Sequence, residues 1–434
     1  MISVEDARAR ILGQFHTLEA SDAPLLDAGG GVSVLGQVLA EDVYATFSIP
    51  PLANTAMDGY AVRAADTRGA TYDAPLELAV VGYLAAGTVY DGRVEAGQAV
   101  RIMTGAPMPA GADAVVPFEE TDEQEHGRWD DRPRERVRID AAAKPGANVR
   151  EAGEDVRDGD RVLTRGTVLQ PAQVGVFASL GRATANVYRR PVVAILSTGD
   201  ELLRPGQPLT PGKIYDSNAF SLAAQVQSFG GIPRVLDVAL DTVEALTARI
   251  HEGLAGADML ITSAGVSRGD FDVVKTVLAS EGEVAFWTVR MKPGKPLAFG
   301  VFRGPNGPVP HLGLPGNPVS AMMTFELFGR PAIFQMLGKP DAWPRPTVRA
   351  VAADAIRNTD GRRFFARCVV SEEAGRWVAR LTGPQSSGML TSMSLANGYA
   401  VCPEDRDVIA PGEECEVILV DREAPVPASV RNRS

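Results

Sequence analysis

The sequence predicts a multidomain protein of the α/β plus β class. Its 434 residues exceed what one ordinary hydrophobic core can hold, so three or four domains are expected. Between about residues 190 and 335, buried-strand patterns alternate with helical patterns, which is typical of a parallel sheet with right-handed crossovers. Before and after this region, short Val-rich and Ala-rich runs alternate with Gly and Asp turns, and they indicate smaller β domains.

The composition argues against several classes of partner and site. The formal net charge of −11 argues against a nucleic-acid partner, which needs a basic surface, and disfavours anionic membranes. The cysteines show no CxxC spacing and the four histidines are scattered, so neither a zinc site nor a disulfide framework is predicted. No window holds the ~18 unbroken apolar residues of a membrane span, and the first residues lack the layout of a signal peptide. A cytoplasmic protein is therefore expected.

The elements can be assigned in chain order from hydrophobic periodicity. Residues 1–45 are predicted to be mostly helical, and the runs between about 75 and 140 predict a small β domain. The stretch "QPAQVGVFASLG" predicts a short helix before the α/β region. In that region "SNAFSLAAQVQSFGG" predicts a helix capped by Ser217, and the short runs after Lys339 predict a final, all-β domain. The predicted strands are "PVVAILSTG", "IPRVLDVALD", "ADMLITSAG", "EVAFWTVRMKPGKPLAFGVF" and "VPHLGLPGN".

Polar loops follow the predicted strands of the α/β region. In an open parallel sheet ligands bind beyond the carboxyl ends of the strands, so these loops form the candidate site. They combine glycines, hydroxyls, carboxylates and two lysines, which suits a phosphorylated ligand with a divalent cation. No GxGxxG follows the first strand and no GxxxxGK[ST] is present, so neither an ordinary dinucleotide fold nor a P-loop is predicted. The loop residues concerned are Ser197, Thr198, Gly199, Asp200, Glu201, Asp241, Gly265, Ser267, Asp270, Asp272, Lys292, Lys295, Asn317 and Ser320.

Several of these residues also have a purely structural interpretation. Asp and Ser residues after a strand often form a polar turn or cap the next helix, and this alternative stays open for Asp200 and Asp241. Asp270 and Asp272 are candidate Mg²⁺ ligands, because Mg²⁺ prefers one or two carboxylates together with phosphate oxygens. The alternative is that one of the two simply caps a helix.

Two of the loops, "MKPGKP" and "GLPGNPVSA", have the most restricted backbones. Lys292 and Lys295 lie three residues apart on a loop stiffened by two prolines, and two ammonium groups held close together indicate an oxyanion between them. Surface lysines without a role are the alternative. In the second loop Asn317 suits a helix N-cap and Pro318 suits the first helical turn. Ser320 then brings a hydroxyl near the free N–H groups and the positive end of the helix macrodipole.

Further candidate residues lie outside the α/β loops. Asp58 lies in the loop "PPLANTAMDGYAV", and Thr104 follows a predicted strand in "RIMTGAPMPAGADAVVPFE". In the last domain Arg367 is a candidate bridging arginine, and Ser387 is a candidate anion contact. Taken singly, each of these residues would belong to an ordinary turn or surface.

Together the motifs resemble those of a known family. "NTAMDGYA", "RIMTGAPMP", "STGDEL", "GVSRGDFD", "KPGKP" and "GLPGNPVSA" occur in this order with fitting intervals. Over nearly its whole length the chain closely resembles the MoeA / gephyrin E-domain / plant Cnx E-domain family. Thr55 stands where the family's motif has serine, and it keeps the hydroxyl. Ala264 stands where the family has glycine in Ser-Gly-Gly-Val-Ser, which narrows the backbone freedom of that turn.

The resemblance implies molybdopterin molybdenumtransferase activity. Such enzymes take adenylylated molybdopterin and molybdate, cleave the adenylyl phosphoanhydride in a Mg²⁺-dependent step, and leave molybdenum on the dithiolene with release of AMP. The family is a homodimer whose site lies between the α/β domain of one chain and the small β domain of the other.

The resemblance also implies a domain organisation. The expected parts are a discontinuous dimerisation domain, a small β domain that carries the "NTAMDGYA" loop, an α/β molybdopterin-binding domain, a C-terminal β-barrel-like domain and a disordered tail. Their expected bounds are residues 1–45 with 143–188, then 46–142, 189–338, 339–424 and 425–434.

Roles for single residues follow from the same resemblance. Asp58, Thr104 and Glu201 are expected to take part in catalysis, with Asp58 and Thr104 acting across the dimer. Asp241 and Asp272 are expected to be catalytic and to organise Mg²⁺, which would neutralise charge on the phosphoanhydride. The expected substrate-binding residues are Thr198, Gly199, Asp200, Gly265, Ser267, Pro315, Gly316 and Asn317. The expected molybdate-binding residues are Lys292, Lys295, Pro296, Ser320, Arg367 and Ser387.

Two alternative functions stay open at this point. One is a molybdopterin adenylyltransferase, because the α/β domain resembles the domain that such enzymes use alone. Those proteins are much shorter and lack the "NTAMDGYA" domain. The other is a non-enzymatic scaffold, because some relatives anchor receptors through the same fold. That use involves a hydrophobic peptide groove and extra fused domains, which this sequence does not indicate, so the enzyme is favoured.

Overall fold

The computed structural model describes residues 1–123, 134–240, 242–264, 277, 280 and 282–420. The chain forms two compact units. The large unit comprises Met1–Ala23, Gly36–Ala40 and Asn186–Ser434, and the small unit comprises Pro24–Leu35 and Glu41–Ala185. No helix among the described residues combines the length and the apolar character that crossing a membrane requires.

A six-stranded sheet is the centre of the large unit. The first four strands in its order are parallel, whereas the fifth is antiparallel to both of its neighbours, so the predicted parallel sheet is mixed. Only residues 305 and 306 separate the fifth strand from the fourth, and so short a connection permits only a hairpin. The order is Ile232–Val235, Val192–Ser197, Met259–Ser263, Gly307–Leu314, Pro296–Gly304 and Gly282–Thr288.

Helices cover both faces of this sheet. Val193 and Ile195 lie in one core with Leu222, whereas Ala194 and Leu196 lie in a second core on the other face. This alternation is the two-residue period of a strand that is buried on both sides. The described helices of the large unit are Val4–Leu12, Asn218–Ser228, Val243–Leu254, Pro318–Thr324, Arg330–Met336 and Thr391–Ser394, with a π-helical turn at Phe325–Gly329.

Within residues 1–45 only Val4–Leu12 is helical, so the prediction of a mostly helical start is wrong. The next element is the strand Ala20–Pro24. The backbone N–H groups of Gly29 and Gly31 then donate to the Asp27 carboxylate at 2.8 and 2.9 Å. Such an aspartate-centred turn offers the backbone an alternative to helical hydrogen bonds.

A closed five-stranded barrel follows the α/β sheet in the large unit. The strand Arg363–Glu373 pairs with Arg376–Leu381 on one side and with Gly398–Cys402 on the other. The ring closes through Thr347–Ala352 and Glu414–Leu419. Closure leaves no free sheet edge, and it confirms the predicted β-barrel-like domain. The chain's three cysteines are free and lie buried in this barrel.

A five-stranded sheet forms the centre of the small unit. Apart from the half-buried Gln98, its middle strands Gly59–Val62 and Gln98–Ile102 are buried, and Gly59 begins the first of them. A Cβ on Gly59 would lie 2.1 Å from Val116 O on the neighbouring strand, so the close strand pairing requires glycine there. The order is Ala114–Pro117, Gly59–Val62, Gln98–Ile102, Leu76–Leu84 and Arg136–Ile139.

Short elements complete the described fold. The helix Pro171–Ser179 forms where "QPAQVGVFASLG" predicts one, and 3₁₀ turns lie at Ala64–Thr67 and Phe118–Glu120. The remaining short strands are Val43–Tyr44, Asn54–Thr55, Val149–Arg150, Arg161–Leu163, Thr184–Tyr188, Leu202–Leu203, Ile214–Tyr215, Met291–Lys292, Ile356–Arg357 and Val408–Ile409.

Candidate functional site

The carboxyl ends of the parallel strands meet at one edge of the large unit's sheet, which we call the carboxyl edge. Ser197 pairs with Ser263 and Ser263 pairs with Leu314, so the loops after these residues start side by side. The strand Gly282–Thr288 runs in the same direction, because two antiparallel steps separate it from Gly307–Leu314. The lysine loop, residues 289–295, therefore also lies at the carboxyl edge.

The first loop at this edge folds tightly around Gly199. Gly199 has φ of +143°, and a Cβ there would lie 2.5 Å from Glu201 Oε2, so only glycine lets the Glu201 carboxylate fold over the turn. Thr198 is buried, and its N–H donates to Ser263 O at 3.3 Å. Ser197 Oγ is buried without a hydrogen-bond partner among the described residues. Asp200 and Glu201 are exposed at the edge.

Asn317 stands at the start of the helix Pro318–Thr324, but its side chain does not cap that helix. Instead Asn317 Nδ2 donates to Ser387 Oγ at 3.1 Å, and Val319 N donates to Ser387 O at 3.1 Å. The predicted capping bond is therefore wrong, because a residue from the barrel region binds both groups. Ser320 is buried one residue further along the helix.

Asn218, which the sequence analysis missed, joins two of these loops. Its Nδ2 donates to Ser263 Oγ and to Gly316 O, both at 2.7 Å, and its Oδ1 is buried without a partner among the described residues. Ser217 does not cap this helix with its side chain, because Asp216 Oδ1 accepts a backbone N–H of the first turn at 3.0 Å. The sequence did offer a signal for this role of Asn218. Three polar residues, Asp216, Ser217 and Asn218, stand in a row at the start of the helix, which is more than one helix cap requires.

Lys292 already has a carboxylate neighbour. Its Nζ lies 3.6 Å from Asp360 Oδ2 and 5.1 Å from the centroid of the Phe364 ring. Burial alone would raise the pKa of Asp360, but the hydrogen bond and charge of Arg362, together with the charge of Lys292, lower it. Asp360 is therefore ionised at neutral pH. The sequence analysis expected an oxyanion near this lysine and did not anticipate Asp360.

The lysine loop packs closely on the helix Pro318–Thr324. Gly294 has φ of +99°, and a Cβ there would lie 2.5 Å from Thr324 Oγ1. Val289 N donates to Lys295 O at 2.8 Å, which closes the loop. Pro296 then begins the fifth strand of the sheet order. The loop that carries the two lysines therefore packs against the last residue of this helix.

Arg367 is fully buried and forms no ion pair with a carboxylate of the described residues. Its Nε donates to Ser392 Oγ at 3.1 Å and its Nη2 donates to Ser386 O at 3.0 Å. Its Nη1 is buried without a partner in the same part of the chain. Burial lowers the pKa of Arg367 to about 10, so the guanidinium is still protonated at neutral pH. A buried cation without a counter-charge is costly, so a bound anion would stabilise this arrangement.

In the small unit, Asp58 and Thr104 meet although they lie on separate loops. Thr104 donates to Asp58 Oδ1 twice, from its N–H at 2.6 Å and from its hydroxyl at 2.7 Å. Thr55 shapes the first of these loops, because its hydroxyl donates to Met57 O at 2.5 Å and accepts from Met57 N at 3.1 Å. Both hydrogen bonds are made by the hydroxyl group, which serine, the residue of the family's motif at this position, also has.

Part of the predicted site lies outside the described residues, namely Asp241, Gly265, Ser267, Asp270 and Asp272. Within the described ranges, no group of three or more His, Cys, Asp or Glu side chains could hold a metal ion. The predicted magnesium ligands are therefore not tested by this geometry.

Two cavities of about 540 and 810 Å³ lie at the opposite edge of the sheet. They are lined by residues such as Gln14, Val301 and Gly307, and they contain none of the predicted site residues. Ligands of open parallel sheets bind beyond the carboxyl ends of the strands, so size alone does not make these cavities the functional site. We place the candidate site at the carboxyl edge.

The fold and the site define a multidomain protein built around a molybdopterin-binding type of domain. Residues 194–335, which hold most of the six-stranded sheet, match the family model described as a probable molybdopterin binding domain. On either side, residues 2–181 match the MoeA N-terminal region (domain I and II), and residues 349–420 match the MoeA C-terminal region (domain IV). The chain belongs to the MoeA family, which confirms the resemblance that its motifs indicated.

Relatives and solved structures cover nearly the whole chain. "Molybdopterin molybdenumtransferase 2" of Mycobacterium tuberculosis is 40% identical over 423 residues, which are 96% of this chain and 99% of that protein. The molybdopterin molybdenumtransferase of Nostoc sp. is 37% identical over 385 residues, which are 88% and 86% of the two chains. A crystal structure of the molybdopterin biosynthesis MoeA protein from Pyrococcus horikoshii is similar with a TM-score of 0.78 and 30% identity, covering 97% of this chain and 99% of that one.

Proposed function

We propose that this protein is a molybdopterin molybdenumtransferase of molybdenum cofactor biosynthesis. It inserts molybdenum from molybdate into adenylylated molybdopterin and releases AMP. The observation that carries the proposal is Arg367, a buried cation that has no carboxylate partner among the described residues and whose Nη1 has no acceptor there. A tetrahedral dianion supplies both the missing charge and the missing acceptors. The names of the similar proteins support the same activity.

The proposed molybdate site spans the barrel and the carboxyl edge. Ser387 accepts hydrogen bonds from Asn317 and from the N–H of Val319, and the carbonyl of the adjacent Ser386 accepts one from Arg367, so these two neighbouring residues link the helix start to the guanidinium. A molybdate ion at this point would contact both parts of the large unit. The residues proposed to surround it are Lys292, Lys295, Pro296, Ser320, Arg367 and Ser387.

The adenylylated pterin is proposed to lie along the carboxyl edge. The geometry of Gly316 supports this, because among the described residues a Cβ there would meet only Ala264 within 4 Å, and the nearest separation, 3.5 Å, is an ordinary contact. Packing alone therefore does not require glycine at this position, and the free space suits the close approach of a phosphate to the backbone. The proposed substrate-binding residues are Thr198, Gly199, Asp200, Gly265, Ser267, Pro315, Gly316 and Asn317, with Glu201 beside the phosphoanhydride.

Mg²⁺ is proposed to be held by Asp241 and Asp272, whose carboxylates are the donors that Mg²⁺ takes together with phosphate oxygens. The start of the third loop fits this role, because Asn218 binds Ser263 Oγ and Ala264 N donates to Leu314 O at 3.1 Å, which fixes where that loop leaves the sheet. When bound, the ion would neutralise charge on the phosphoanhydride. The protein groups act by positioning the substrates and by electrostatics, without a covalent nucleophile.

A homodimer is proposed in which Asp58 and Thr104 complete the site of the partner chain. The geometry of the pair supports a role for Asp58 in positioning the attacking water. Both hydrogen bonds from Thr104 go to Oδ1, which holds the carboxylate in one orientation, and Oδ2 takes part in neither bond. A carboxylate oriented in this way suits the task of accepting a hydrogen bond from a water.

The function is tested by the substrates that the purified protein consumes. Incubated with adenylylated molybdopterin, molybdate and Mg²⁺, it should release AMP and transfer molybdenum to the pterin, measured by chromatography and by reconstitution of an apo-molybdoenzyme. Consumption of ATP with plain molybdopterin would favour the adenylyltransferase instead. Turnover of neither substrate would favour the scaffold.

The shared site is tested by mixing inactive subunits. Asp58→Asn and Lys292→Ala damage opposite halves of the proposed site, so each variant alone should be inactive. Each mixed dimer should recover about one working site of two, since one site then holds both intact halves. AMP release is measured after the subunits have exchanged. An absence of recovery, with exchange verified by a size tag on one variant, would count against the trans arrangement.

A further inference from the structure

Ile2, at the start of the chain, is hydrogen-bonded to the backbone beside and within the lysine loop. Ile2 N donates to Thr288 O at 2.9 Å, and Arg290 N donates to Ile2 O at 2.8 Å. Ile2 thereby forms a parallel β-bridge with Val289, the first residue of the loop. A residue from the far end of the sequence therefore holds the backbone where this loop begins.

The barrel binds the same part of the loop. Arg363 N donates to Arg290 O at 3.2 Å, and the strand Met291–Lys292 pairs in parallel with the barrel strand that Arg363 begins. Both backbone groups of Arg290 are therefore used, the N–H on Ile2 and the carbonyl on the barrel. Lys292 follows two residues later in the chain.

An ion pair closes these contacts into a ring. Arg363 Nη1 donates to Glu5 Oε1 at 2.5 Å, and Glu5 lies in the first turn of the helix that starts two residues after Ile2. The start of the chain, the lysine loop and the barrel strand are thus joined to one another. We call this ring of four residues the N-terminal clasp, and its members are Ile2, Arg290, Arg363 and Glu5.

The position of Lys292 depends on this backbone. The side chain of Lys292 is 33% exposed, so packing around it does not by itself fix the ammonium group. The point from which the side chain extends is set by the bonds that the loop makes through its backbone. A displacement of about 1 Å in a group that positions a substrate can slow a reaction by about 100-fold. Bonds that prevent such a shift of the loop therefore matter for binding at Lys292.

We propose that Ile2 is a positioning residue for molybdate binding: through the N-terminal clasp it holds the backbone from which Lys292 extends. The inference rests on the proposed function, because Lys292 belongs to the proposed molybdate site. Ile2 acts through the loop and not on the substrate. Its effect should therefore appear in the molybdate dependence of the reaction rather than in the binding of the adenylylated pterin.

The test removes the bridge at Ile2. A shortened chain that begins at position 3, with Ser3→Met as its first residue, lacks both hydrogen bonds to the loop. Because two backbone hydrogen bonds are lost, its half-saturating molybdate concentration should rise about tenfold, whereas that of adenylylated molybdopterin should change less than about twofold. AMP release measured over a range of each substrate gives both values.

Two full-length variants are the controls. Ser3→Met removes the hydroxyl that accepts from Asp6 N at 3.0 Å and caps the first helix, but it keeps the bridge. Ile2→Ala removes a side chain that packs against the core and keeps both backbone hydrogen bonds. Each control should stay within about twofold of the wild type in half-saturating molybdate. If either control matched the shortened chain, the cap or the packing would explain the loss, and the proposal would be overturned.

Hydrogen exchange follows the loop without relying on catalysis. Removal of Ile2 O frees the amide of Arg290, so a peptide that covers residues 288–295 should exchange about fivefold faster in the shortened chain than in either control. Equal exchange in all three proteins would overturn the proposal, because the loop would then be held without the bridge.

The same measurements keep this inference distinct from the proposed function. The wild-type enzyme is assayed for molybdate-dependent AMP release in every series. If the wild type shows none, the proposed function fails, and the role of Ile2 in molybdate binding fails with it. If the wild type responds to molybdate and the shortened chain responds equally, only the positioning role fails.

Discussion

Two cations of the proposed molybdate site, Arg367 and Lys292, have opposite surroundings. Arg367 is fully buried and has no carboxylate partner among the described residues, whereas the side chain of Lys292 is 33% exposed and lies 3.6 Å from Asp360. An unpaired charge costs little in water and much in the interior, so only Arg367 is held in an arrangement that an anion would complete. Lys292 shares the Asp360 carboxylate with Arg362, so its charge is partly balanced before the substrate binds. The two cations therefore differ in burial, a difference that the sequence alone does not reveal.

The substitution Arg367→Met gives the strongest test of this difference between the two cations. The substitution removes the buried charge and keeps most of the side-chain volume, so molybdate-dependent AMP release should fall by about 100-fold or more. The thermal midpoint should nevertheless stay within a few degrees of the wild type. Removal of an uncompensated buried charge is favourable and offsets the donors that Ser386 and Ser392 lose.

Arg345→Met is the matched control for this substitution. Arg345 forms a paired contact, with Nε 2.8 Å and Nη2 3.2 Å from the carboxylate of the buried Glu326. Its loss removes both of these hydrogen bonds and leaves the buried carboxylate with only the longer contact to Arg330 Nε at 3.7 Å, so the free energy of unfolding should fall by about 3 kcal/mol. Denaturant unfolding of both variants checks the contrast. If Arg367→Met lost as much stability as Arg345→Met, Arg367 would be a structural cation that the folded protein itself stabilises, and its burial would not indicate an anion site.

Gly294→Ala tests the lysine side of the comparison. Lys292 and Lys295 are positioned by a tight backbone rather than by burial, and a Cβ at Gly294 would combine φ of +99° with a 2.5 Å approach to Thr324 Oγ1. The loop must shift away from the helix, so the half-saturating molybdate concentration should rise about tenfold. Gly375→Ala is the control, because Gly375 has φ of +75° and no described residue lies within 4 Å of its Cβ position. Equal effects of the two substitutions on molybdate use would reject a positioning role for the loop.

The sequence was sufficient where local patterns decide the structure. Alternating strands and helices predicted the α/β region, and the motifs predicted the family and the barrel-like end. The same rules failed where a side chain reaches a distant partner. Asn317 has the sequence of an N-cap, yet its amide donates to Ser387, 70 residues away. The side chain of Asn218 also binds a distant residue, because its hydrogen bond to Gly316 O joins positions 98 residues apart.

The proposed molybdate site shows a second limit of sequence analysis. The resemblance to the family gave both Lys292 and Arg367 as expected molybdate-binding residues. Nothing in the sequence around them showed that their surroundings differ. That distinction depends on the closed barrel, which buries Arg367, and on Asp360, which a separate segment brings to Lys292. The prediction also failed at the start of the chain, where Asp27 and two glycines form a turn in place of the predicted helix. Burial and partner choice are properties of the fold, so they became visible only in the structure.

The smallest expected effect comes from Asp360→Asn, which removes the resident partner of Lys292 and keeps the shape of the side chain. Without the competing carboxylate, molybdate should bind slightly better. Because the pair is partly exposed, we expect the half-saturating molybdate concentration to fall by only about two- to threefold at low salt, and less at high salt. An unchanged value at low salt would mean that Asp360 does not compete with the substrate.

The pH dependence of stability gives an independent check on Asp360. Its pKa is lowered in the folded protein, so its ion pairs contribute stability that is fully present above the unfolded pKa and is lost as the pH falls through the folded pKa. Asp360→Asn lacks this contribution at every pH. The wild type should therefore be more stable than the variant at neutral pH, and the gap should close in acid, below about pH 4. A gap that stayed constant down to acid pH would show that the ionised carboxylate of Asp360 is not its cause, and Lys292 would then be as free of a counter-charge as Arg367.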